Sequence, residues 1–145
     1  MFTIGGVIKG GLGEATRTLA LQLPLIANEF PEISNCYRGS INIECEVPLL
    51  VVAPDHRTRP IAWNPADPAA EVFDFVRIDL EVPDGASPVP AWLYIPHGSP
   101  HRRTPYIHEV ITRRLDLGQT TTCRVTINRQ AFQLPLPYLP MVLVV

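Results

Sequence analysis

Apolar and polar residues alternate along much of this chain with a period of two. The clearest case is "VRIDLEV", where Val76, Ile78, Leu80 and Val82 share one face against Arg77, Asp79 and Glu81. Successive side chains of a strand point to opposite faces, so this pattern reads as a half-buried β-strand. The same alternation predicts strands over 3–9, 15–23, 40–46, 72–82, 91–96, 106–112 and 122–128. One short helix is predicted to begin at Pro24, which suits a first helical position. There "PLIANEFPEI" sets Leu25, Ile26 and Phe30 on one side before Pro31 interrupts it. Between these lie "APDHRTRP", "NPADPA", "PDGASPVP" and "PHGSPHRRTP", all turn chemistry. The stretch 63–70 reads as an insertion or a flexible excursion. Sixteen prolines spread over the whole length break the chain into short pieces, which disfavours long helices and predicts a mainly β, or β-rich α+β, domain.

Composition narrows the picture. A chain of 145 residues is long enough to bury a core as one domain without cross-links. Its net charge of -2 offers phosphate backbones no global attraction, so a general nucleic-acid binder is not expected. Cys36, Cys45 and Cys123 are odd in number and widely spaced, and read as reduced core thiols. No basic segment followed by a long apolar run opens the sequence, so a cytoplasmic protein is expected. The apolar end "LPLPYLPMVLVV" is broken by Pro135, Pro137 and Pro140, too short and interrupted for a membrane anchor. Unless residues 129–145 fold back on the domain, so greasy a tail invites a homo-oligomer.

Candidate chemistry lies in three places. In "GGLGEAT", Gly10, Gly11 and Gly13 precede Glu14 between the first two predicted strands, at the expected tip of a hairpin. The segment lacks the Gly-Lys-Ser/Thr of a Walker loop, and Thr16 stands where a dinucleotide fingerprint needs its third glycine. Two readings remain: glycines supplying positive φ for a turn, or bare backbone against which a phosphate can rest. In "RGSINIE", Ser40 and Asn42 stand two apart on one strand face, either capping a turn or offering hard oxygen ligands to Mg²⁺. In "YIHEVIT", Glu109 is a carboxylate within an apolar strand, facing solvent or serving a ligand hydroxyl. Arg102, Arg103, Arg113 and Arg114 gather around it as a solvated face or as phosphate contacts. His97 and His101 lie four apart in a proline-broken loop with no third evident ligand, and Trp63 and Trp92 read as wall residues.

The order of these pieces resembles the archaeal CTP-dependent riboflavin kinase family. Its Gly-Leu-Gly-Glu-Gly pattern is matched from Gly11 through Leu12 and Gly13 to Glu14, with Ala15 in place of the last glycine. Its Gly-Thr-Leu-Asn is matched by Gly39, Ser40, Ile41 and Asn42, and "PHRRTPYIHEVITRRLDLG" looks like its basic segment and following strand. The resemblance covers roughly 5–127, weakly in the middle, and implies a small closed cradle-loop β-barrel of six to seven strands with one short helix. It implies phosphoryl transfer from CTP to riboflavin, giving FMN, with Mg²⁺ held by Ser40 and Asn42. Nucleotide contacts fall on Gly11 to Thr16 and on Arg113, Arg114, Leu115 and Asp116. Flavin contacts fall on Glu109, also the catalytic candidate, and on Ser99 or Thr104. Three departures stand out: Ala15; Thr112 and Arg113 for an alanine and a proline after the strand; and "LGQTTTC" for an Asp-Gly-Asp turn. They leave open a non-catalytic flavin- or nucleotide-binding module on the same barrel.

Overall fold

The computed structural model describes residues 1–83, 87–98 and 104–134, and of residues 10–14 the backbone alone. Its strands are β1 (Phe2–Glu14), β2 (Ser40–Cys45), β3 (Leu50–Val51), β4 (His56–Arg57), β5 (Phe73–Glu81), β6 (Val89–Pro96), β7 (Ile107–Thr112), β8 (Thr122–Ile127) and β9 (Phe132–Gln133). Antiparallel pairing runs β5-β6-β7-β2-β1-β8 and returns from β8 to β5, closing a six-stranded barrel. Strand β4 adds to the outside of β5, and β3 with β9 forms a separate ribbon. The expected small closed barrel with one short helix is therefore present. Among the described residues no helix is long and apolar enough to cross a membrane.

Period-two alternation builds the core. Ile41 and Ile43 of β2, Val76, Ile78 and Leu80 of β5, Ala91 and Leu93 of β6, Val110 of β7 and Val125 of β8 fill the interior. Cys45 and Cys123 also lie inside, and burial pushes their thiols up to about 12 and about 11. Cys36 is raised to about 11 by the same cause. All three cysteines are free, and at neutral pH they are inert thiols. Gly6 pairs with both Cys45 and Cys123, and a Cβ there would lie 2.8 Å from the Ile43 side chain.

The predicted strand over 15–23 is instead helix α1 (Thr16–Ile26), and Pro24 lies inside that helix rather than at its start. "TLALQL" alternates like a strand, yet Leu19, Gln22, Leu23 and Ile26 recur at helical spacing and are the buried face. Gln22 misleads because it is polar and buried; its Oε1 accepts a hydrogen bond from the Tyr94 hydroxyl. The helix covers the outer side of the barrel wall, packing with Phe30, Phe73, Phe75, Tyr94 and Ile111 into a second apolar cluster. Trp63 and Trp92 pack against that cluster as wall residues. The 63–70 excursion is tied down at its base, where Ile61 bridges Glu71 and the Trp63 Nε1–H donates to Glu71 Oε1 at 2.8 Å.

Residues 129–134 are not a loose tail. A 3₁₀ turn (Arg129–Ala131) leads into β9, and Ala131, Phe132 and Leu134 are buried in the barrel core. Residues 135–145, the remainder of the expected tail, lie outside the described residues.

Candidate functional site

The glycine-rich segment is the far half of β1 rather than a hairpin tip. Register along β1 and β2 runs Ile8↔Ile43, Gly10↔Asn42 and Glu14↔Ser40. Strand β1 thus advances six residues while β2 advances three, and the surplus is taken up in two irregularities that fall on the glycines. Bulged backbone of this kind is where glycine is least costly. Pairing of β1 with β8 has by then ended, at Val7↔Thr122 and a last bond from the Ile8 N–H to the Thr121 carbonyl. The glycine segment therefore projects past β8 and turns directly into α1 through Ala15, whose φ of 56° is left-handed. The position where the resembled family carries its last glycine is thus one whose backbone favours glycine.

Across the sheet, three segments distant in sequence form one row. Gly10 pairs with Asn42, and Asn42 pairs with Glu109 of β7. Neighbouring strands lie about 4.8 Å apart, so the row spans roughly 10 Å. Two residues from Asn42 along β2, the fully buried Ser40 hydroxyl donates to Glu109 Oε1 at 2.6 Å. Glu109 is itself buried, and Asn42 is half-buried. Val110 faces the interior, so alternation turns Glu109 to the outer face, the face of Ser40 and Asn42 opposite Ile41 and Ile43. Hydroxyl, amide and carboxylate oxygens gathered in this way suit a hard divalent cation such as Mg²⁺.

Beside Glu109 the barrel wall opens. Strands β6 and β7 pair through Ala91↔Thr112, Trp92↔Ile111 and Leu93↔Val110 only. Beyond Leu93 and Val110 the residues of both strands line a cleft of about 440 Å³ instead. Its walls are mainly apolar, with Leu49, Leu93, Ile95 and Pro105 prominent, and Thr104 and Glu109 both line it. This size and lining, with few polar groups, is that of a small-molecule site. Of the two flavin candidates, Thr104 thus shares a cleft with Glu109, and Ser99 lies outside the described residues, as do Arg102, Arg103 and His101.

Arg113, Arg114 and Asp116 are exposed just past β7, whose antiparallel pairing to β2 sets them at the barrel end occupied by Ser40 and Glu14. The Arg114 guanidinium lies 5.6 Å from the centre of the Tyr37 ring, and the Tyr37 N–H donates to the Thr112 carbonyl at 2.7 Å. Leu115 differs from its neighbours: its side chain is buried in the barrel core. Arg113, Leu115 and Asp116 line a second cleft of about 540 Å³ with Ser87 and Pro88. Thr16 is exposed in the first turn of α1.

Sequence reasoning passed over one group in the main cleft. Arg57 Nε and Nη2 donate to the two oxygens of Asp74 at 2.7 and 2.9 Å, and His97 Nε2 lies 2.8 Å from Asp74 Oδ2. Burial raises the Asp74 carboxyl, but hydrogen bonds from Arg57 and His97 outweigh it and hold the group below its ordinary 3.8. A signal for this was present. In "FDFVRIDLEV" Asp74 falls on the same period-two face as Val76, Ile78 and Leu80, where a carboxylate needs a partner.

No protein-family model matches the chain, and no curated protein matches it.

Proposed function

We propose that this protein transfers the γ-phosphoryl group of a nucleoside triphosphate, CTP by its resemblance, to riboflavin, giving FMN. The observation that carries the reading is the row Gly10–Asn42–Glu109, which joins the three candidate segments on adjacent strands. Phosphoryl transfer asks a protein chiefly to position two substrates and to neutralise charge. The bulged glycine backbone and the start of α1 provide main-chain N–H groups for the phosphates. Ser40 and Asn42 would hold Mg²⁺, which when bound spreads the charge of the triphosphate. Glu109 accepts a hydrogen bond from the attacking ribityl hydroxyl and fixes its direction; the apolar cleft, with Thr104 at its edge, takes the flavin ring. Arg113 and Arg114, at the same barrel end as Ser40, face the nucleotide.

A second reading, a binding module without turnover, is favoured by one observation. The Ser40 hydroxyl is fully buried and already committed to Glu109, so reaching a cation requires that bond to be exchanged. One assay separates the two. Purified protein is incubated with riboflavin, Mg²⁺ and each nucleoside triphosphate in turn, and FMN is sought by chromatography. FMN formed with one triphosphate, CTP foremost, is the expected result. Saturable flavin binding without FMN from any triphosphate selects the binding module, and neither binding nor FMN removes both readings.

A further inference from the structure

The main cleft has two polar poles. Glu109 lies at one, and Arg57 with Asp74 at the other. Asp74 pairs with Ile95 on β6, whereas Glu109 immediately precedes Val110, the first residue of β7 that pairs with β6, so strand β6 and its two flanking spacings separate the poles. That distance is at least about 10 Å. Between the poles the walls are apolar.

Arg57 is built to be presented, not merely solvated. Among the described residues its hydrogen bonds go to Asp74, through Nε and Nη2, which orients the planar guanidinium side-on and leaves Nη1 unused. Asp74, with its side chain only 7 % exposed, is anchored a second time by His97. The Arg57 side chain remains 59 % exposed at the cleft lining. A rigid, partly exposed cation at one end of an apolar slot suits a planar ring system with hydrogen-bond-accepting oxygens along its far edge.

We infer that Arg57, oriented by Asp74 and His97, reads the carbonyl-bearing edge of the ring that occupies this cleft, making it the specificity residue for the acceptor. This rests on the assignment of the cleft to flavin. With the ribityl hydroxyl at Glu109, the ring extends toward Arg57 and its pyrimidine-dione edge meets the guanidinium. Arg57 belongs to β4, outside the closed barrel, so replacing it leaves the barrel's own pairings intact.

The test is flavin binding by fluorescence quenching, with riboflavin and with lumiflavin, which keeps the dione edge but lacks the ribityl chain. Arg57→Met is expected to weaken both ligands equally, on the order of 10- to 100-fold, the usual loss for a charge-assisted hydrogen bond. Arg57→Lys, which keeps charge but not the planar fork, is expected to recover only part of it. Glu109→Gln is expected to weaken riboflavin and spare lumiflavin. Circular dichroism melts of each variant confirm that the barrel persists. Wild-type binding that is undiminished in folded Arg57→Met, or a loss confined to riboflavin, overturns the role of Arg57 while the flavin assignment stands. Wild-type protein that binds neither ligand overturns the flavin assignment and this inference with it.

Discussion

Ala15 carries the only left-handed backbone among the described non-glycine residues, at the junction of β1 and α1. A Cβ in that region costs about 1–2 kcal/mol, and glycine gives back about 0.5–1 kcal/mol through its freer unfolded chain. Ala15→Gly is therefore expected to stabilise the protein by about 0.5–1 kcal/mol, a rise in Tm of roughly 1–4 °C for a chain of this size. A lower Tm would mean that the junction is not left-handed. Asp74 sets a second expectation, on acid stability. Its folded carboxyl lies below the ordinary 3.8, so its stabilisation is fully present above that value and is lost as the pH falls below it through the folded value. Urea midpoints of wild type and Asp74→Asn should therefore differ at pH 7 and converge below pH 3.8. A gap that stays constant with pH would remove the Arg57–Asp74–His97 cluster as its source.

The elements legible in the sequence were those whose apolar faces repeat without interruption. Strands β2, β5, β6, β7 and β8 fall within two residues of the predicted ends, because alternation marked their course and turn-forming residues such as glycine and proline lay beside them. The helix was misread because Leu19, Leu21 and Leu23 satisfy a period of two, although of these only Leu19 and Leu23 belong to the buried helical face and Leu21 is exposed. The deciding contact, buried Gln22 with Tyr94, is tertiary. Strands β3, β4 and β9 are two residues each and carry no periodicity to read. Strand β9 nevertheless matters to stability, since Phe132 and its neighbours Ala131 and Leu134 lie in the core. A chain ending at Asn128 loses two large apolar side chains worth about 1.5–3 kcal/mol each, a large share of the 5–15 kcal/mol that holds a typical domain together. It is expected to be largely unfolded or strongly destabilised, whereas one ending at Leu134 keeps these contacts and melts at a clearly higher temperature. Equal melting of the two truncated chains would show that β9 does not close the barrel end. For the oligomer question the cut after Leu134 is thus the informative one, because it removes residues 135–145 and keeps Ala131, Phe132 and Leu134.

At the scale of the molecule, the candidate site draws its parts from sequence positions about a hundred residues apart and joins them through barrel closure alone. Strand β2 is the seam: it holds β1 on one edge and β7 on the other, so Gly10, Asn42 and Glu109 form a row only while both pairings are intact. The sequence revealed which residues to suspect through their types and order; their adjacency depends on the strand order β7-β2-β1, which no local pattern encodes. The architecture has a thermodynamic consequence. A ligand that bridges this row binds the closed barrel and not the unfolded chain, so it must stabilise the whole domain, by about 2.7 kcal/mol at a hundredfold excess over Kd. At roughly 2–4 °C per kcal/mol, saturating riboflavin is expected to raise Tm by about 5–10 °C without nucleotide, because its cleft lies between β6 and β7 and needs only Glu109 from the row. Nucleotide with Mg²⁺ should add a separate increment that Asn42→Ala removes, while the riboflavin increment survives, since Asn42 does not line the main cleft. Asn42→Ala should leave the unliganded melt within about 0.5 kcal/mol of wild type, as expected of a half-buried polar residue outside the core. A nucleotide increment that persists in Asn42→Ala would place the triphosphate elsewhere on the barrel and detach the glycine strand from the chemistry.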